Sequence, residues 1–130
     1  MTQRTIRNLI TRREVVLLPP NASVRDASQL MAQQHVGAIL VMVDDQLEGI
    51  FSERDALKRV LAEGRDPDAT QLSEVMTKDV VTLGPDAWAL DALRLMRDIG
   101  FRHLPVVEQD LVIGVISLRD FVGAELQQVG

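Results

Sequence analysis

Two heptapeptides decide the fold of this 130-residue chain: GIFSERD at Gly49–Asp55 and GVISLRD at Gly114–Asp120. Each opens on a glycine, runs through a short apolar stretch and closes on Ser-x-x-Asp. That is the pattern of a strand delivering the chain into a helix N-terminus. A shift of 65 positions carries Gly49 onto Gly114, Ser52 onto Ser117 and Arg54-Asp55 onto Arg119-Asp120. Without a gap, the same shift carries Val15-Val16 onto Val80-Val81, Leu18 onto Leu83, Pro20 onto Pro85, Asp26-Ala27 onto Asp91-Ala92 and Leu30-Met31 onto Leu95-Met96. The chain is therefore an internal duplication, and the repeat sets its architecture before any single propensity does.

Working outward from the first heptapeptide, Glu14–Leu18 reads as a strand stopped by Pro19-Pro20. Ser23-Val-Arg-Asp26 is a capping box opening a helix with Val24, Ala27, Leu30 and Met31 as its apolar stripe. Ala38–Val43 is a continuous apolar run, as expected of a strand covered on both faces. Asp44-Asp45 turns the chain into a second strand, Leu47–Phe51. Ser52 then caps a helix carrying Ala56, Leu57, Val60 and Leu61. The second copy gives strand Val80–Leu83, helix Leu90–Ile99, strands Leu104–Val107 and Leu111–Ile116, and helix Leu118–Leu126. Upstream of each copy lies a short helical lead-in, Ile6–Ile10 and Leu72–Met76, which match if one residue is inserted. The expected fold is α+β: two β-α-β-β-α repeats about a pseudo-two-fold axis, at about 6–63 and 71–126, joined by the polar linker 64–70 (GRDPDAT). Alone, each copy is marginal in size, so the chain reads as one module.

Composition narrows the function. The chain is 46% hydrophobic and 25% charged, which is globular. It has no Cys, excluding disulfides, thiolate metal sites and cysteine nucleophiles. The net charge of −5 and the scarcity of aromatics (one Trp, three Phe, no Tyr) disfavour nucleic acid. No apolar run reaches membrane-spanning length and the N-terminus lacks an apolar h-region, so a cytoplasmic protein without membrane contact is expected. No nucleophile–base–orienter set or metal-ligand cluster is present, so neither a catalytic residue nor a metal is expected.

The Ser-x-x-Asp elements have a ligand chemistry of their own. Free backbone N–H groups and the helix dipole at Ser52 and Ser117 favour an anion such as phosphate. Asp55 and Asp120, one turn in, can accept from both hydroxyls of a ribose. The same four residues also fit ordinary helix capping, in which the acid serves only the backbone.

These motifs, together with VMTKDVVTLGPD (Val75–Asp86) and FRHLPVV (Phe101–Val107), resemble a tandem pair of CBS domains, the regulatory repeat named after cystathionine β-synthase. The resemblance covers nearly the whole chain and is especially marked to small stand-alone bacterial CBS-pair proteins. It implies a cleft between the copies that takes an adenosine-containing regulatory ligand (AMP, ADP, ATP, NAD(H) or S-adenosylmethionine), and a disc-shaped homodimer. It further implies that the strand edge of one copy faces the Ser-x-x-Asp helix of the other. One site would then combine Ser52, Arg54 and Asp55 with Met76, Thr77, Val80 and Val81 and with Arg102, His103, Leu104 and Pro105. Arg102 and His103 would hold phosphate, and Met76, Val80 and Val81 would wall the adenine. The weaker site would combine Ser117, Arg119 and Asp120 with Ile10, Thr11 and Arg12 and with Val36, Gly37 and Ala38. Because Gly37-Ala38 stands where the other copy has Arg102-His103, the two sites are expected to be unequal. The implied function is nucleotide sensing passed to an unidentified protein partner; the alternative is a constitutive dimerisation scaffold with vestigial clefts.

Overall fold

The computed structural model describes residues 3–10 and 15–129. In chain order it contains helix α1 (Ile6–Leu9), strand β1 (Leu17–Leu18), helix α2 (Val24–Gln34), strands β2 (Ala38–Val43) and β3 (Gln46–Ser52), and helix α3 (Glu53–Asp55), which continues as a π-helix over Ala56–Leu61. Helices α4 (Leu72–Val75) and α5 (Ala89–Ile99), strands β4 (His103–Glu108) and β5 (Leu111–Ser117), a 3₁₀ turn (Leu118–Asp120) and helix α6 (Gly123–Val129) follow.

The chain forms two compact units, each with its own core. The central unit is Val15–Val80; the terminal unit draws on Met1–Glu14 and Val81–Gly130. In the central unit β1 pairs parallel with β2, and β2 antiparallel with β3. Val24, Ala27 and Met31 of α2 close over Ile39, Val41 and Phe51. In the terminal unit β4 and β5 pair antiparallel, and Ala89, Ala92, Leu93 and Met96 of α5 cover Leu104, Val106 and Ile116. Both hairpins shift register at the same repeat position, Val41/Met42 and Val106/Val107.

The unit boundaries do not follow the repeat boundaries, because the lead-ins are exchanged. Helix α4, which precedes the second repeat, packs on the first: Leu72 N–H donates to Ala22 O at 2.9 Å, and Val24 N–H to Thr70 O at 2.9 Å. Helix α1, which precedes the first repeat, makes the same bonds to the second: Ile6 N–H to Ala87 O at 2.9 Å and Ala89 N–H to Arg4 O at 2.8 Å. Each lead-in thus satisfies donors at the start of the neighbouring long helix. This is why Trp88, which offers no side-chain cap, is tolerated as N-cap of α5.

Three elements depart from the sequence reading. Only Leu17–Leu18 of the expected first strand is a strand, and Glu14 lies outside the described residues. Val80–Leu83 forms no strand, only a bridge from Leu83 to Val106. The expected helix Leu118–Leu126 is broken. Phe121 is extended (φ −92°, ψ 145°) and buried, where the first copy has the small Ala56. Driving that ring into the core ends the turn, and Val122-Gly123 has little helix propensity to resist.

Candidate functional site

In the central unit Ser52 closes β3 and caps α3. Asp55 N–H donates to Ser52 Oγ (3.2 Å), while Ser52 N–H (3.0 Å) and Ser52 Oγ–H (3.1 Å) donate to Asp55 Oδ2. The other carboxylate oxygen, Oδ1, is held more loosely, by Thr77 Oγ–H at 3.4 Å and Arg59 Nε at 3.5 Å. Asp55 is 7% exposed, so its charge is balanced by these donors rather than by bulk water. Thr77 arrives there because its backbone pairs with β3: Ile50 N–H to Thr77 O at 3.0 Å and Thr77 N–H to Ile50 O at 2.9 Å. The lead-in thereby lays Met76 over Gly49. Ser52, Asp55, Met76 and Thr77 are thus gathered in one place. Arg54 is exposed and Val80 half-buried in the same unit.

The terminal unit repeats the cap. Ser117 N–H donates to Asp120 Oδ2 at 2.7 Å, and Ser117 Oγ–H reaches it at 3.4 Å. Ile10 lies over Gly114 as Met76 lies over Gly49. The structure puts Arg102 and His103 beside this cap: Leu118 N–H donates to Arg102 O at 3.0 Å, and His103 stands opposite Ser117 in the β4–β5 register. Arg102 is exposed and His103 half-buried. Leu104 is fully buried in the core, so that position offers a ligand only backbone. Pro105 is buried, and its carbonyl accepts from Leu83 N–H at 3.1 Å. Val81 is half-buried and begins this unit's second segment. Thr11 and Arg12 lie outside the described residues.

Val36, Gly37 and Ala38 belong to the central unit. There Gly37 O accepts from Glu53 N–H at 3.0 Å, and Ala38 pairs with Ser52. Each strand edge therefore adjoins the cap of its own repeat. The expected crosswise groupings, Arg102-His103 with Asp55 and Gly37-Ala38 with Asp120, join residues of different units.

One cluster escaped the sequence reading. A groove of about 480 Å³ on the central unit is lined by Lys58, Arg59, Glu63, Arg65, Glu74 and Val75. Arg59 Nη1 donates to Met76 O (3.1 Å) and Val75 O (3.4 Å), and Arg65 pairs with Glu74 at 3.6 Å. The signal was available in the repeat: under the 65-position shift Lys58 and Arg59 meet Gly123 and Ala124, so the fold needs neither charge. Among the described residues no group of three or more acids and histidines could hold a metal, and no helix is long and apolar enough to cross a membrane.

The CBS domain family model matches residues 6–62 and 72–126. A CBS domain-containing protein of Bacillus subtilis, YhcV, is 37% identical over 107 residues, which are 82% of this chain and 76% of that protein. Other curated relatives are longer, and the chain spans 54% and 21% of two of them. The crystal structure of the CBS domain protein NE2398 superposes with a TM-score of 0.87 at 32% identity, covering 98% of both chains. That of PAE2072 from Pyrobaculum aerophilum, complexed with AMP, superposes with a TM-score of 0.85 at 26% identity, covering 97% of this chain and 98% of that one. Two matched segments, two Ser-x-x-Asp caps and two glycines roofed by a lead-in make one statement: this chain belongs to the CBS domain family, as a tandem pair.

Proposed function

We propose that this chain is a non-catalytic sensor that binds an adenosine nucleotide (AMP, ATP or NAD(H)) and passes the change to a protein partner. The observation that carries this reading is the carboxylate of Asp55. One oxygen is committed to the cap, while the other is held, among the described residues, by contacts of 3.4 and 3.5 Å. The Thr77 contact is long enough for a ribose hydroxyl at about 2.7 Å to replace it. The AMP complex of PAE2072, with the same fold, supports the ligand class. In this reading Ser52, Arg54 and Asp55 bind sugar and phosphate together with Arg102 and His103, while Met76, Val80 and Val81 flank the base. A ligand switches the module only if it binds two arrangements with different affinity.

Calorimetric titration of ligand-free protein with AMP, ATP, NAD(H) and S-adenosylmethionine tests the reading; no heat with any of the four rejects it. A second reading, in which Arg102 and His103 serve Asp120, is favoured by their place beside Ser117 in one unit. The two separate in a mutant cycle. Arg102→Ala is non-additive with Asp55→Ala in the first reading and with Asp120→Ala in the second.

Self-association belongs to the same proposal. Leu57 and Leu61 on the π-helix are 57% and 73% exposed. Their repeat partners Val122 and Leu126 are 51% and 42% exposed. Apolar residues kept at the same positions in both copies, yet buried in neither, support a homodimer formed through these helices.

A further inference from the structure

The mooring of Asp55 carries one inference more, which rests on the nucleotide reading above. Arg59 pairs with that buried carboxylate, with Nε at 3.5 Å from Oδ1. The same guanidinium reaches Met76 O and Val75 O through Nη1. One side chain therefore ties the candidate ribose acceptor to the segment that would flank the base. It does so across the point where α3 widens into the π-helix, immediately after Asp55. Wide turns of this kind are uncommon and concentrate at functional sites. The second copy has no equivalent: Ala124 occupies the position, and the helix there is interrupted at Phe121.

We infer that Arg59 is a positioning residue for nucleotide binding: it holds Asp55 Oδ1 oriented for a ribose diol and makes the Asp55 site selective for ribose over 2′-deoxyribose. When the diol arrives, Thr77 Oγ–H gives up Oδ1. Arg59 stays, keeping the carboxylate aimed. The planar guanidinium meets the carboxylate through Nε and the two carbonyls through Nη1, separate corners of one rigid fork, whereas an ammonium presents all its donors from a single atom.

The test is calorimetric titration of AMP and 2′-deoxy-AMP into the unmodified chain, Arg59→Ala, Arg59→Gln, Arg59→Lys, Asp55→Ala and the Arg59→Ala/Asp55→Ala double variant. Urea unfolding confirms that each is folded, and Arg59→Gln keeps the stem of the side chain should Arg59→Ala not fold. Removing Arg59 should weaken AMP by roughly tenfold, the scale of one charge-assisted hydrogen bond, and leave 2′-deoxy-AMP almost unchanged. Arg59→Lys should recover only part of the loss, and Arg59→Ala should cost nothing further once Asp55 is gone. AMP binding and AMP/2′-deoxy-AMP discrimination that survive Arg59→Ala overturn this inference alone. So does a loss that adds to that of Asp55→Ala, or one shared equally by both nucleotides. An unmodified chain that binds neither nucleotide overturns the nucleotide reading and this inference with it.

Discussion

Met76 lies directly on Gly49. A Cβ at Gly49 would stand 2.6 Å from the Met76 sulfur and 2.9 Å from the Thr77 carbonyl. At Gly114 the same added atom would meet Ile10 Cβ at 3.1 Å. The glycine kept in both copies is therefore the floor on which a lead-in rests, and neither has a positive φ to explain it. Gly49→Ala should destabilise the chain by about 1–3 kcal/mol, the usual cost of forcing atoms into a packed contact. Gly114→Ala should cost less, because its nearest contact is longer. Urea midpoints of the two variants check the order.

Arg4 and Glu125 should make stability depend on pH in one direction. Arg4 Nη2 lies 2.6 Å from Glu125 Oε1 and also donates to Asp120 O at 3.1 Å. The hydrogen bond from Arg4 holds the Glu125 carboxyl below its ordinary range. Because the folded value is the lower one, the stabilisation is complete above the unfolded carboxylate range, near about pH 4.3, and fades as pH falls through the folded value. Glu125→Gln should thus be less stable than the unmodified chain at neutral pH, with the gap closing on acidification. Denaturant unfolding at about pH 7 and about pH 3 measures it.

Phe121 should weigh more than its position in an interrupted helix suggests. It is 6% exposed and packs into the terminal unit's core. Phe121→Ala should cost about 3–5 kcal/mol. If the broken turn were instead a loose end, the thermal midpoint would barely move.

Leu57→Ser/Leu61→Ser and Val122→Ser/Leu126→Ser should each leave the folded chain intact, since all four side chains are exposed. Combined, they should yield a 14.4 kDa monomer in light scattering. An unchanged mass would reject these helices as the dimer surface.

Much of this was legible in the sequence, and the illegible part has physical causes. The hairpins and long helices were readable because their apolar residues follow strand and helix periods, and because each appears twice. The lead-in helices were readable as elements but not in their pairing. Nothing in Ile6–Ile10 states that its surface lies beyond Val81, since contact across that separation leaves no local pattern. The break at Phe121 comes from core volume overriding local propensity. At the site, Ser52, Asp55, Ser117 and Asp120 were found by spacing, and Thr77 through the resemblance. Arg59 was passed over because an Arg four residues after an Asp is an ordinary surface ion pair. Only the depth of Asp55 gives that pair more weight, and burial is not written in the spacing.

The exchanged lead-ins also set a timetable for synthesis. The central unit is continuous in sequence and has every segment it needs once Val80 has left the ribosome. The terminal unit cannot close then, because α1 is made before the central unit and the surface that receives it is made after. While the central unit is being made, Ile6 and Leu9, both buried in the folded protein, must wait without their partners. Synthesis of the stretch beyond Val81, rather than completion of the central unit, is the event that gives α1 its surface.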